Sequence, residues 1–132
     1  MAAAAQMESL DAVVTIAAPA TADHVEHLFA DNVDELEASG EATVKLGQRE
    51  FRIQRKMLDD IRAYGDDAHI AKLRKALLVI HSPVDTVVSV DEAARIYQAA
   101  KHPKSFLSLD NADHLLSKRD DAEYVADNIA AW

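Results

Sequence analysis

The chain has 132 residues, a formal net charge of −9 and no cysteine. This composition predicts one small acidic domain and excludes a disulfide framework, a thiolate metal site and a cysteine nucleophile. Hydrophobic residues make up 49% of the chain and charged residues 28%, so we expect a packed core rather than a disordered tail. With 23 acidic side chains against 14 basic ones, a face that neutralises many phosphates is hard to build, which argues against nucleic acid and anionic membranes as partners.

We expect no targeting signal at the start of the chain. Residues 1–6 are rich in alanine but have neither a basic region nor an apolar run long enough for a signal peptide or a membrane span. We therefore expect a cytoplasmic protein.

Three apolar runs predict the strands of a parallel sheet. Residues 12–18 are almost unbroken in their apolar character until Pro19, and residues 76–80 form a second such run. Runs of this kind are typical of strands that are buried on both faces. Residues 105–109 alternate instead, which indicates a strand nearer an edge.

Two helices complete this part of the chain. Residues 89–101 predict a helix with Ser89 as its N-cap, and it joins the second strand to the third in a right-handed βαβ unit. Residues 120–132 predict a final amphipathic helix. The pattern as a whole indicates an α/β fold with about three parallel strands.

The segment between the first two strands is different in kind. Its alternating runs flank a Gly-Gln pair, which favours a β-hairpin, and short acidic helices surround them. We expect residues 22–75 to form a small cap inserted over the crevice at the strand ends. The predicted elements are helices at 22–30 and 31–38, a hairpin of 41–46 with 49–53, and helices at 54–63 and 68–75.

Six histidines supply the acid and base candidates. His24 and His27 lie about one helical turn apart and could chelate a metal, but no Asp, Glu or His at a matching spacing completes the set. The alternative is a pair of solvated histidines on an acidic helix. We predict no metal and no cofactor.

Asp85 and His114 form the more informative pair. Each follows directly on a predicted strand, and in open α/β sheets the ligand crevice lies outside the carboxyl ends of the strands. An Asp that orients a His, which then takes a proton from a nucleophile, is the base half of an acyl-transfer triad. The alternative is structural: Asp85 caps the region that follows, and His114 bonds the backbone near Asp110.

The same two stretches resemble a known family. Residues 77–88, a helix and residues 105–116 are similar to the last two strands of an α/β-hydrolase. The resemblance implies that Asp85 and His114 are the acid and the histidine of a Ser-Asp-His triad, and it extends over residues 12–19 and the 22–75 cap. The final residues, 121–132, resemble the hydrolase part of bacterial fusion proteins in which an OsmC-like domain follows.

The nucleophile of that family is missing from the sequence. It sits in a Gly-x-Ser-x-Gly elbow, and none of Gly40, Gly47 and Gly65 frames a serine here. An eight-stranded member needs about 240 residues at roughly 30 per strand and crossover helix. We therefore expect residues 1–132 to be a partial domain, the C-terminal half of the fold, with residues 2–7 as the tail of the helix that follows the elbow.

Two functions follow as hypotheses. The first is a truncated or split ester or acyl hydrolase for a small-molecule substrate, which would need a complementing N-terminal half and would be inactive alone. The second is a non-catalytic module that forms homo-oligomers or binds a partner through the hydrophobic edge of its first strand. The apolar residues of the cap suit either an apolar substrate or simple packing, and these are Val25, Leu28, Phe29, Phe51, Met57 and Leu58.

Overall fold

The computed structural model describes residues 1–22, 30–46, 49–63 and 65–132. Most of the predicted helix at 22–30, including His24 and His27, and the predicted turn at Gly47 and Gln48 lie outside these residues. The elements are, in chain order, α1 (Ala2–Ala5), β1 (Ala12–Ile16), α2 (Val33–Ser39), β2 (Glu41–Leu46), β3 (Arg49–Gln54), α3 (Arg55–Ala63), α4 (Ala68–Ala71), β4 (Ala76–His81), α5 (Val90–Ala99), β5 (Lys104–Ser108) and α6 (Arg119–Ala131).

These elements divide into two compact units. The first unit comprises Met1–Ala20 and Asp67–Trp132, and the second comprises Thr21–Asp66. The domain bounds expected from the sequence, 1–132 with a cap at 22–75, stay a prediction.

The first unit contains the predicted parallel sheet. Its strand order is β1-β4-β5, and both pairings are parallel, with Val14 opposite Leu78 and Leu78 opposite Ser105. The mixed α/β fold with three parallel strands is thus confirmed. Strand β4 lies in the middle, where its unbroken apolar sequence is buried along almost its whole length.

Helices cover both faces of this sheet. Leu77 and Val79 pack with Ile96 of α5, whereas Leu78 and Ile80 pack in a second cluster that includes Val125 of α6. Successive side chains of a strand point to opposite faces, so one run of apolar residues serves both clusters. Each fully buried aliphatic side chain contributes about 1.5–3 kcal/mol, which fixes the position of β4 and of the loop that follows it.

The helix boundaries of this unit have local causes. Helix α5 begins as predicted, because the Ser89 hydroxyl accepts a hydrogen bond from the Asp91 N–H at 3.2 Å. Helix α4 is shorter than the predicted helix at 68–75 and ends at Ala71. Arg74 has a φ of 47°, and a residue in the left-handed region cannot continue an α-helix.

The second unit contains the predicted hairpin. Strands β2 and β3 pair in antiparallel fashion, with Val44 opposite Phe51. Leu36 of α2, Val44 of β2 and Leu58 of α3 are buried together in one cluster. Phe51 and Met57 are 43% and 44% exposed. Of the apolar residues proposed for the cap, Leu58 therefore packs in the core of the second unit, whereas Phe51 and Met57 face outward.

The helices of the described segments are short. None has the length and apolar content that a transmembrane span requires. The expected cytoplasmic location stays a prediction.

Candidate functional site

The loop between β4 and α5 places Asp85. Its Oδ1 accepts hydrogen bonds from the N–H groups of Val87 at 2.8 Å and Val88 at 3.0 Å, so the carboxylate organises the chain that follows it. The Asp85 side chain is fully buried. The capping role that the sequence left open for Asp85 is therefore present, and it occupies only one of the two carboxylate oxygens.

The loop between β5 and α6 places His114. Asp113 Oδ1 accepts the N–H groups of Leu115 at 3.1 Å and Ser117 at 2.9 Å, which holds a tight turn around the histidine. Hydrogen bonds from the Ser117 N–H and hydroxyl, with a smaller one from Leu115, hold the pKa of Asp113 below its usual value. Leu116 in this turn has a φ of 51°, a left-handed conformation that the turn imposes on a branched side chain.

The two loops bring the predicted acid and base together. His114 Nδ1 lies 2.9 Å from Asp85 Oδ2, the carboxylate oxygen that the backbone leaves free. A carboxylate only accepts, so Nδ1 carries the proton and Nε2 keeps its lone pair. Because the His114 side chain is 27% exposed while that of Asp85 is 0% exposed, the pair joins a buried carboxylate to a partly exposed base.

Hydrogen bonding decides the charge of Asp85. Burial alone would raise its pKa, because an apolar environment disfavours the ionised form. The hydrogen bonds from the Val88 N–H, from His114 and from the Val87 N–H outweigh that effect and hold the pKa of Asp85 below its usual value. The carboxylate is therefore ionised at neutral pH and suited to stabilise a charged imidazole.

A second histidine lies behind this pair. His81, the last residue of β4, is 1% exposed, and its Nε2 lies 2.9 Å from the Val88 carbonyl oxygen and 3.5 Å from Asp85 Oδ2. The sequence analysis assigned His81 no role. The available signal is its position, a polar residue that ends a strand buried on both faces four residues before the acid.

Comparison with solved structures decides the family. The chain is 42% identical to the esterase domain of a protein from Rhodothermus marinus, with a TM-score of 0.75 over 99% of this chain and 54% of that one. The chain belongs to the α/β-hydrolase family. The family resemblance expected from the sequence is thus confirmed.

Other α/β-hydrolase structures share the fold at lower identity. Mouse α/β-hydrolase domain-containing protein 10 is 18% identical with a TM-score of 0.65, and 98% of this chain matches 54% of that protein. A monoacylglycerol lipase from Paleococcus ferrophilus is 14% identical with a TM-score of 0.70, and 98% of this chain matches 61% of the lipase. The chain thus spans a little more than half the length of these hydrolases.

Two further comparisons found no similar protein. No protein-family model and no curated protein matches the chain. The expected likeness to fusion proteins that carry an OsmC-like domain stays a prediction.

The serine nearest to the acid in sequence is unsuited to the role of an α/β-hydrolase nucleophile. Ser82 is 3% exposed, and its Oγ accepts a hydrogen bond from the Val84 N–H at 3.3 Å. It lies in the long loop that leads to Asp85, not in a sharp turn that passes directly from a strand into a helix. The 132 residues also contain no Gly-x-Ser-x-Gly sequence.

Two cavities lie elsewhere. A cavity of about 600 Å³ in the second unit is bordered by β3 and α3, and one of about 200 Å³ in the first unit is bordered by the residues after β5 and by α6. Neither is lined by Asp85 or His114. These two cavities are therefore separate from the acid and base.

Proposed function

We propose that this chain provides the acid and the base of an ester or acyl hydrolase whose serine nucleophile comes from residues outside these 132. The observation that carries the proposal is the 2.9 Å hydrogen bond from His114 Nδ1–H to Asp85 Oδ2. It lies at the carboxyl ends of two neighbouring parallel strands, β4 and β5, where ligands bind in open α/β sheets. The retained pair is the proposed remnant of a Ser-Asp-His triad.

In the proposed reaction each residue has its own step. His114 Nε2 takes the proton of the serine hydroxyl as its oxygen forms a bond to the substrate carbonyl carbon. The imidazole then gives that proton to the departing alcohol as the ester bond breaks, and a water repeats the sequence to release the acid. Asp85 keeps Nδ1 protonated and stabilises the imidazolium, and its low pKa keeps it from taking the proton itself.

The solved relatives support the substrate class. One is an esterase domain and another a monoacylglycerol lipase, so we assign this chain small-molecule carboxylic esters or related acyl compounds. A cytoplasmic location and a complementing segment with the nucleophile belong to the same proposal.

A chimera tests the proposal directly. This chain replaces the matching part of the Rhodothermus marinus esterase domain, and hydrolysis of a short-chain aryl ester is measured. We expect turnover that falls by about 10⁴-fold in Asp85→Asn and by at least as much in His114→Ala. His102→Ala is the matched control, because His102 is exposed and distant in sequence from both loops. Turnover that survives His114→Ala would remove the role assigned to that residue.

The isolated chain provides a second test. It has no serine in an elbow, so we expect no serine-dependent turnover and no labelling by a fluorophosphonate probe. Stoichiometric labelling of the 132-residue chain would contradict the proposal, and mass spectrometry of the labelled peptide would identify the serine concerned.

A non-catalytic module remains the second candidate, because one observation favours it. Within the described residues, β1 pairs only with β4, so its other side offers unpaired backbone groups. Strand addition from a second copy or another protein would satisfy them. Sedimentation at micromolar concentration separates the two candidates, since a monomer at every concentration would argue against this module.

A further inference from the structure

Backbone hydrogen bonds alone fix the position of His81. Strand β4 is paired on both sides, and at its end the Ile80 carbonyl accepts the Ala17 N–H at 3.0 Å while the His81 carbonyl accepts the Leu109 N–H at 2.9 Å. The backbone at His81 is therefore held by the segments that follow β1 and β5. Its imidazole extends from a strand end that is hydrogen-bonded on both sides.

The contacts of the ring determine its tautomer. A carbonyl oxygen only accepts hydrogen bonds, so the 2.9 Å contact with Val88 O requires the proton on Nε2. Nδ1 is buried and has no hydrogen-bond partner among the residues that the structure describes. The ring therefore acts as a hydrogen-bond donor at Nε2.

Val88 connects this donor to the acid. Its carbonyl accepts from His81 Nε2–H, and its own N–H donates to Asp85 Oδ1 at 3.0 Å. With Oδ1 held by the backbone, Oδ2 is the oxygen that accepts from His114 at 2.9 Å. One chain of hydrogen bonds thus runs from the end of β4 to the proposed base.

We infer that His81 is a positioning residue for the Asp85–His114 pair, which acts by holding the Val88 carbonyl and thereby the residue whose N–H orients the Asp85 carboxylate. Its Nε2 also lies 3.5 Å from Asp85 Oδ2, the oxygen that bonds to His114. The catalytic meaning of this arrangement rests on the proposed function. The hydrogen-bond chain itself is testable without any turnover.

The test follows the His114 Nδ1–H proton by NMR in the isolated 132-residue chain. His81→Leu fills the space without a donor, and we expect the resonance to be lost or its exchange with water to become about tenfold faster or more. His81→Gln places a donor nitrogen the same number of bonds from the backbone and should restore the resonance. His81→Asn is one bond shorter and should behave like the leucine variant. Circular dichroism checks the fold of each variant.

The Gln and Asn pair decides the question even where the leucine variant does not fold. Ile96→Val is the matched control, because it weakens a fully buried site on one face of the same sheet without touching Val88. A resonance that is unchanged in His81→Asn, or weakened equally in Ile96→Val, would overturn the inference. An intact hydrogen-bond chain in a chimera without esterase activity would instead count against the proposed function alone.

Discussion

At the scale of single residues, the site depends on how Asp85 uses its two oxygens. Oδ1 accepts hydrogen bonds from two backbone N–H groups, and Oδ2 accepts one from His114 Nδ1–H. A buried carboxylate with this many donors is stable as an anion, although burial alone would favour the neutral acid. The same hydrogen bonds therefore hold the conformation of the loop after β4 and keep the negative charge of Asp85 next to the His114 imidazole.

This charge predicts a pH-dependent contribution to stability. The folded pKa of Asp85 lies below its unfolded value near 3.8, so its contribution is complete above that pH and is lost as the pH falls through the lower folded pKa. We expect Asp85→Asn to lower the free energy of unfolding at pH 7 by about 1–3 kcal/mol. The difference from the wild type should shrink below about pH 4.

Urea denaturation from pH 7 to pH 3 measures this effect. Asp110→Asn, an exposed carboxylate in the neighbouring loop, serves as the control and should leave the profile of the wild type unchanged. A difference between wild type and Asp85→Asn that stays constant across the range would show that the ionised carboxylate makes no specific contribution.

Arg74 gives a second prediction at this scale. It is exposed and has a φ of 47°, a conformation that costs a non-glycine residue about 1 kcal/mol or more. We expect Arg74→Gly to raise the free energy of unfolding by about 1 kcal/mol. Lys72→Gly is the matched control, because Lys72 is also exposed but has a φ of −85°, and it should destabilise the protein. Equal effects of both substitutions would contradict the argument.

At the scale of elements, the turn after β5 determines where the base lies. Asp113 accepts the N–H groups of Leu115 and Ser117, on the C-terminal side of His114. We expect Asp113→Ala to leave the sheet intact but to speed the exchange of the His114 Nδ1–H proton by about tenfold, the effect of losing about one net hydrogen bond. Proton NMR measures the exchange.

Asp110→Ala is the comparison variant for that turn. Asp110 accepts a hydrogen bond from the Ser108 hydroxyl at 3.2 Å, whereas the N–H groups that follow His114 donate to Asp113. If both alanine variants change the exchange rate alike, the turn at Asp113 has no special part in placing the base.

The sequence predicted the strands well because their signals are local. Residues 76–80 form a continuous apolar run, and β4 covers these residues and one more. The end of α4 was not predicted, because it depends on a left-handed conformation at Arg74, a residue type that gives no such signal. The meeting of Asp85 and His114 was expected from their places at two strand ends. The sequence analysis missed His81 because its proposed role depends on its hydrogen bond to the Val88 carbonyl. The two residues are seven positions apart, and no periodicity of helices or strands predicts that they meet.

At the scale of the whole molecule, the sheet has two outer strands of different character. Among the described residues, β1 and β5 each pair with β4 alone. Strand β1 has the sequence Ala-Val-Val-Thr-Ile, which carries no charge and is apolar apart from its threonine hydroxyl, whereas β5 begins with Lys104. Lysine on an outer strand discourages strand addition, and apolar β-branched residues favour it. The first strand is therefore the side on which we expect another chain to pair.

A charge on β1 tests that expectation. Ile16 is already 40% exposed, so we expect Ile16→Lys to fold and to weaken any self-association of the wild type by about tenfold. Phe106→Lys adds the same charge to β5 at a residue 44% exposed and should leave association unchanged. Sedimentation velocity over a range of concentrations measures both. If the two variants associate alike, β1 is not the contact, and if only Phe106→Lys dissociates, the pairing strand is β5.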